Sequence, residues 1–211
     1  MRAALAAEFD ALAAASGLPG AAVLREALLD AHSEPHRAYH GLAHVRFLLD
    51  EIGRHSALIE TPALLKFAAW FHDAIYVPFA KDNEACSAAW AQSALAPLGS
   101  LADRTAALIR KTADHHAGEA DPDEALFLDM DFAILGAPEA VYRAYAAAIR
   151  REYAAAPAEA YCAGRARFLR GVLAQPRMFR TDLYEAERGA AVRANLAWEV
   201  AELEAGRIPG A

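Results

Sequence analysis

The sequence predicts an all-α fold, a single helical bundle of about ten helices. Alanine is its commonest residue and also the best helix former. Glycine and proline are few and fall at punctuation points. Apolar residues return at helical spacing, and long alternating β-branched runs are missing.

Each element has its own signal. Residues 3–15 form the first expected helix, stopped by Gly17 and Pro19. The second spans residues 20–31, with Val23, Leu24, Ala27, Leu28 and Ala31 on one face. Pro35 marks residues 33–39 as loop. Across residues 42–52, Val45, Leu48, Leu49 and Ile52 recur with helical period. Thr61-Pro62 opens the next helix as a cap with proline in the first turn, leading into Leu64, Leu65, Ala68 and Phe71. Asp82 can cap a helix ending near Pro97. Ser100 with Asp103 opens another, closed by Gly118. Asp121-Pro122 repeats the cap-plus-proline signal, and Gly136-Ala137-Pro138 ends that helix and starts the next. Pro157 and Pro176 bound a further helix. Thr181 or Asp182 caps the last, which runs towards Gly206.

The totals narrow the function. A chain of 211 residues suits one domain over residues 1–211 and can bury a substantial core. The formal net charge of −7 argues against a broad surface for duplex nucleic acid, while a small anionic substrate remains compatible. Cys86 and Cys162 make neither a disulfide framework nor a Cys-x-x-Cys zinc site, so a reducing, cytoplasmic setting is expected. Glu8 and Asp10 near the start exclude a secretory signal, and no apolar run approaches membrane-spanning length.

His72-Asp73 is the most informative pair. It lies where the apolar run Ala68-Ala69-Trp70-Phe71 breaks into a loop, with Ala74-Ile75 following. A carboxylate half-buried there costs several kcal/mol unless a cation or donors compensate it. A metal ion is one such partner, with further ligands available at His44 and at Asp129 or Asp131. A mixed imidazole and carboxylate set suits Mn, Fe, Co, Ni, Zn or Mg, and the residues do not choose among them. Singly, each residue has a structural reading: a core histidine with a hydrogen bond, or an Asp acting as a helix cap. Their order, and the apolar helix around each, favour ligation.

Several segments together resemble the predicted metal-dependent phosphohydrolases of the HD superfamily found in bacteria. They are Tyr39-His40-Gly41-Leu42-Ala43-His44, Trp70-Phe71-His72-Asp73-Ala74-Ile75-Tyr76, Asp82-Asn83-Glu84-Ala85-Cys86-Ser87-Ala88, Leu128-Asp129-Met130-Asp131-Phe132 and Ile149-Arg150-Arg151-Glu152-Tyr153. Gly164-Arg165, Glu187, Arg193, Asn195 and Glu199 fit the same pattern. The likeness covers roughly residues 39–203, leaving residues 1–32 as a helical extension packed on that core. It implies an HD-domain-like bundle with His44 as first metal ligand, His72 and Asp73 as the central pair, and Asp131 as the last. Asp129 is the rival to Asp131. Asp131 is preferred because the superfamily's final Asp precedes an apolar turn, here Phe132-Ala133-Ile134; Asp129 would then orient a ligand or contact a cap.

Other groups could handle substrate. His40, four residues before His44, shares its face if the helix begins early; otherwise it is a helix N-terminal hydrogen-bonder. Glu84 could polarise a metal-bound water, or simply answer the dipole of its own helix. Lys111 and His115 stand four residues apart at an expected helix end and could neutralise developing charge, although cations at a helix C-terminus are common in any case. An intermediate His in HD relatives ranks His115 above His116. Arg150, Arg165 and Arg193 are expected chiefly as ion-pair partners of Glu152, Glu187 or Glu199, with phosphate contact as the other reading. Tyr142, Tyr145, Tyr153 and Tyr161 are expected to pack the core.

The resemblance implies hydrolysis of a small phosphorylated molecule, with nucleotides among the candidates, by attack of metal-activated water. Asp73 would accept a proton or bridge a second metal. The alternatives are a metal-stabilised module that senses nucleotide without catalysis, and an HD-like di-iron oxygenase drawing on His40 and His115.

Overall fold

A computed structural model of the protein describes residues 1–115 and 118–210. Among the described residues the chain is all-helical, with ten α-helices and no strand. They are α1 (Arg2–Ser16), α2 (Ala21–Ala31), α3 (Leu42–Arg54), α4 (Pro62–Phe71), α5 (Asn83–Ala94), α6 (Ser100–Lys111), α7 (Pro122–Phe132), α8 (Glu139–Glu152), α9 (Ala158–Leu173) and α10 (Asp182–Glu204). His116, one of the histidines weighed above, lies outside the described residues. The chain divides into two compact units, Met1–Phe127 and Leu128–Ala211.

The first unit is built around α4. Leu64, Leu65, Phe67, Ala68, Ala69, Trp70 and Phe71 are all buried, so this helix is apolar over most of its circumference, Lys66 excepted, and lies inside. Helices α1, α3, α5 and α6 pack on it. Phe9 of α1 meets Trp70 edge-on at 5.2 Å between ring centroids, and Trp90 of α5 meets Phe71 at 5.8 Å. In α3 the apolar stripe Val45, Leu48, Leu49 and Ile52 faces inward, as its period predicts.

In the second unit α10 packs against α8 and α9. Glu199 of α10 is fully buried, and its two oxygens meet Arg165 Nε at 2.9 Å and Nη2 at 3.2 Å. Tyr142 donates its hydroxyl to the same carboxylate. Burial disfavours the Arg165 charge, but Tyr145 and Glu199 outweigh it and hold the guanidinium protonated. Asn195 closes the turn before α8 by donating to the carbonyls of Leu135 (2.8 Å) and Ala137 (2.9 Å). Gly136 sits in that turn with no room for more: a Cβ there would stand 2.7 Å from Arg188 Cβ.

The cap signals fare unevenly. Asp121 and Glu124 form a reciprocal capping box, Glu124 N to Asp121 Oδ1 at 2.9 Å and Asp121 N to Glu124 Oε2 at 3.1 Å. Thr181 accepts from Tyr184 N at the start of α10. Thr61 and Asp82 hold N-cap positions without a side-chain cap bond. The backbone N–H groups of Glu60 and Thr61 donate instead to Asp123, at 2.9 and 2.7 Å. One expected boundary is corrected: α6 ends at Lys111, well before Gly118. Thr112 helps stop it by donating its hydroxyl to the Ile109 carbonyl at 2.7 Å, a local bond that competes with the helical ladder.

Candidate metal centre

Two helix ends in the first unit supply the site. His44 lies in the first turn of α3, just before the inward-facing Val45, so the burial of that stripe carries the imidazole inward with it. Gly41 precedes α3, and the close approach there favours glycine: a Cβ would stand 3.0 Å from the His32 carbonyl. That carbonyl accepts from Leu42 N at 3.2 Å and ties the end of α2 to the start of α3. His72 is the C-cap residue of α4, and Asp73 follows in the turn.

These elements bring three donors together. His44 Nε2 and His72 Nε2 are 3.1 Å apart. Asp73 Oδ2 lies 3.0 Å from His72 Nε2 and 3.8 Å from His44 Nε2. Both histidines are buried, at 4% and 2% exposure, and Asp73 is half-buried. His72 Nδ1 lies 3.3 Å from the Ala69 carbonyl. Donation to that oxygen leaves the lone pair on Nε2, facing the carboxylate and the second imidazole. Electron-rich atoms facing one another out of water repel unless a proton or a metal ion lies between them. Ligands about 2.1 Å from one ion at tetrahedral or octahedral angles stand about 3.0–3.4 Å apart, close to two of these three separations. The residues therefore fit a divalent ion.

Electrostatics agree with the anionic form of Asp73. Burial alone would raise its carboxyl, but with protons on the imidazoles in place of an ion the His72 and His40 charges, the His72 hydrogen bond and the His44 charge outweigh it and hold it below the usual carboxylate range.

The loop after Asp73 is fixed by side chains of α5. Ser87 Oγ accepts from Ile75 N at 3.0 Å and reaches the Ile75 carbonyl at 3.3 Å. Asn83 pairs with both backbone groups of Val77, each at 3.0 Å. Their four-residue spacing on a helix face was readable in the sequence; their role was not. His40 precedes α3 rather than joining it, and its ring lies 4.4 Å from that of Tyr76.

Elsewhere the expected groups are less gathered. Glu84 is half-buried in the first turn of α5. Lys111 and His115 do not share a helical face, because α6 ends at Lys111 and His115 lies in the turn beyond. Lys111 Nζ is held by Glu124 Oε2 at 2.6 Å and by the Glu119 carbonyl at 2.9 Å.

In the second unit the two acidic residues of α7 part company. Asp129 is buried and accepts from Arg180 N (2.7 Å), Thr181 N (2.7 Å) and Thr181 Oγ1 (2.6 Å), so it is a structural cap contact. Burial raises its carboxyl, and these hydrogen bonds only partly offset the rise. Asp131 is half-buried in the last turn of α7. Arg165 pairs with Glu199, as expected, whereas Arg150 donates to the Tyr153 carbonyl and Arg193 to that of Pro176. Tyr142 and Tyr161 are core residues, and burial pushes the Tyr161 hydroxyl up to about 12.

No protein-family model matches the chain, and neither does any curated protein or solved structure.

Proposed function

We propose that this chain is a metal-dependent phosphohydrolase acting on a small phosphorylated molecule, with nucleotides among the candidate substrates. The observation that supports this most is the convergence of His44, His72 and Asp73 in a buried place where only a cation or a proton relieves their repulsion. Asp131 is proposed as the fourth ligand, on the residue order of the HD superfamily and because three donors already occupy Asp129. When bound, a divalent ion supplies Lewis acidity and lowers the pKa of a coordinated water.

The chain's own residues then have distinct tasks. His44 and His72 would hold the ion through Nε2. Asp73, held anionic, is the group to accept a proton at its carboxylate or to bridge a second ion. Glu84 is proposed as a further proton acceptor. His115 is the group proposed to meet a substrate oxyanion; Lys111, already held by Glu124 and the Glu119 carbonyl, is proposed to brace that loop. The acidic balance of the chain disfavours duplex nucleic acid as substrate. No described helix is long and apolar enough to cross a membrane. A cytoplasmic setting belongs to the proposal.

The test is phosphate release from a panel of phosphorylated metabolites, before and after chelation and after readdition of Mn, Fe, Co, Ni, Zn or Mg. Release that chelation abolishes and a divalent metal restores supports the reading. A chain that binds metal, releases phosphate from none of the panel and gains thermal stability with nucleotide is a sensor instead. His72→Ala and Asp73→Ala should each lose metal by elemental analysis, and full retention removes the ligand assignment.

A further inference from the structure

The loop before α3 contains a side chain that looks unremarkable in sequence, Arg37 in Glu34-Pro35-His36-Arg37. Its side chain is fully buried, at 0% exposure. Nη1 donates to two carbonyls at once, that of His40 at 3.0 Å and that of Asp73 at 2.6 Å. Nη2 donates to the Ala74 carbonyl at 3.1 Å, and Nε to Glu34 Oε2 at 2.9 Å. The guanidinium also lies over the Tyr76 ring, 5.4 Å from its centroid. One planar group therefore joins the segment that delivers His44 to the turn that carries Asp73, using the oxygen of the candidate ligand Asp73 itself.

We propose that Arg37 is a positioning residue for the metal centre, setting the separation between the His44 and Asp73 donors. This rests on the metal-binding reading given above. Its contribution is geometric. A positive charge behind a cation site is unfavourable in itself, so what the residue supplies is the fixed fork of N–H donors that spans three backbone carbonyls. A lysine at the same place keeps the charge but offers one nitrogen, which cannot reach the carbonyls of His40, Asp73 and Ala74 together while pairing with Glu34. Partners that orient metal ligands typically change metal affinity by about 10–100-fold when removed.

The experiment compares the whole chain with its Arg37→Lys and Arg37→Gln variants by titration with Co(II), recording affinity and the visible d–d spectrum. Arg46→Ala serves as the control, removing the two ion pairs of Arg46, with Glu8 and with Asp50, that do not touch the donors. The expected result is Co(II) affinity weaker by about 10–100-fold in both Arg37 variants, with a shifted spectrum. Arg46→Ala should lower thermal stability with the spectrum unchanged. Folded Arg37 variants with wild-type affinity and spectrum overturn the proposal and leave the metal reading standing. A wild-type chain that binds no Co(II) removes both. Variants that unfold without metal but fold when Co(II) is supplied support the role, because the ion then holds the two segments together. Variants that stay unfolded with and without Co(II) overturn it in favour of a purely structural strut.

Discussion

Asp129 and Asp131 stand two residues apart on one helix, and the difference in their surroundings separates their roles. Asp129 satisfies two backbone N–H groups and a hydroxyl at the start of α10, so Asp129→Ala should cost about 2–4 kcal/mol in urea unfolding while metal content is unchanged. Asp131→Ala should lose metal by elemental analysis. Equal effects of the two substitutions on metal content would sink the assignment.

His32 supplies a second residue-level prediction. It is buried, and its Nε2 lies 2.9 Å from the Trp70 carbonyl, to which it donates. Burial lowers its pKa to about 4, only partly countered by that bond. The unfolded chain takes up the proton near pH 6.5 and the folded chain near pH 4, so the stability contributed by neutral His32 is fully present above about pH 6.5. It is lost as the pH falls through that window, by about 3 kcal/mol in total. Urea unfolding between pH 8 and 4.5 should show the decline, and His32→Gln, which keeps a donor for Trp70, should flatten it.

His72-Asp73 was legible as a candidate site because a polar pair interrupts an apolar run, and His44 through its place in the order of His, His-Asp and Asp. Arg37 was not legible, since an arginine in a polar loop reads as a solvated charge; only the approach of two loops buries it. Lys111 and His115 illustrate the opposite error. Their four-residue spacing counts as one face only if the helix continues, and Thr112 with the Glu124 contact ends it first.

Among the helices, α8, α9 and α10 converge on one buried charge. Glu199 is fully buried against Arg165 and Tyr142. Replacing Glu199 with Gln leaves the Arg165 charge without its counterion, and should cost about 3–5 kcal/mol by thermal or urea unfolding. Tyr142→Phe removes one hydrogen bond to the carboxylate and should cost less, about 1.5–3 kcal/mol. A Glu199→Gln protein as stable as wild type would show that the network contributes little. The sequence placed these residues on helices rich in Glu, Arg and Tyr, but pairing partners 34 and 57 positions apart are chosen by packing rather than by spacing.

For the chain as a whole, the proposed metal binding links ligation to folding. An ion that binds the folded state alone stabilises it by about 2.7 kcal/mol when present at about 100 times its Kd. For a chain of this length that is a rise in Tm of roughly 5–10 °C. Chelation should lower Tm by that amount in the wild type and leave Tm of His72→Ala unmoved. The same shift in both proteins would place the stabilising ion elsewhere.

What the sequence determined by itself was the helical class and most helix boundaries, and it singled out His44, His72 and Asp73 as candidate donors. These follow from local causes: alanine propensity, apolar period, proline and glycine punctuation, and a polar pair set in an apolar run. Tertiary structure alone decided how close those donors come, that three partners already occupy Asp129, that Lys111 is held by Glu124, and that Arg37 clamps two loops. Distances between residues far apart in the chain are set by how buried faces pack, because one apolar stripe fits many partners and only the assembled core selects among them.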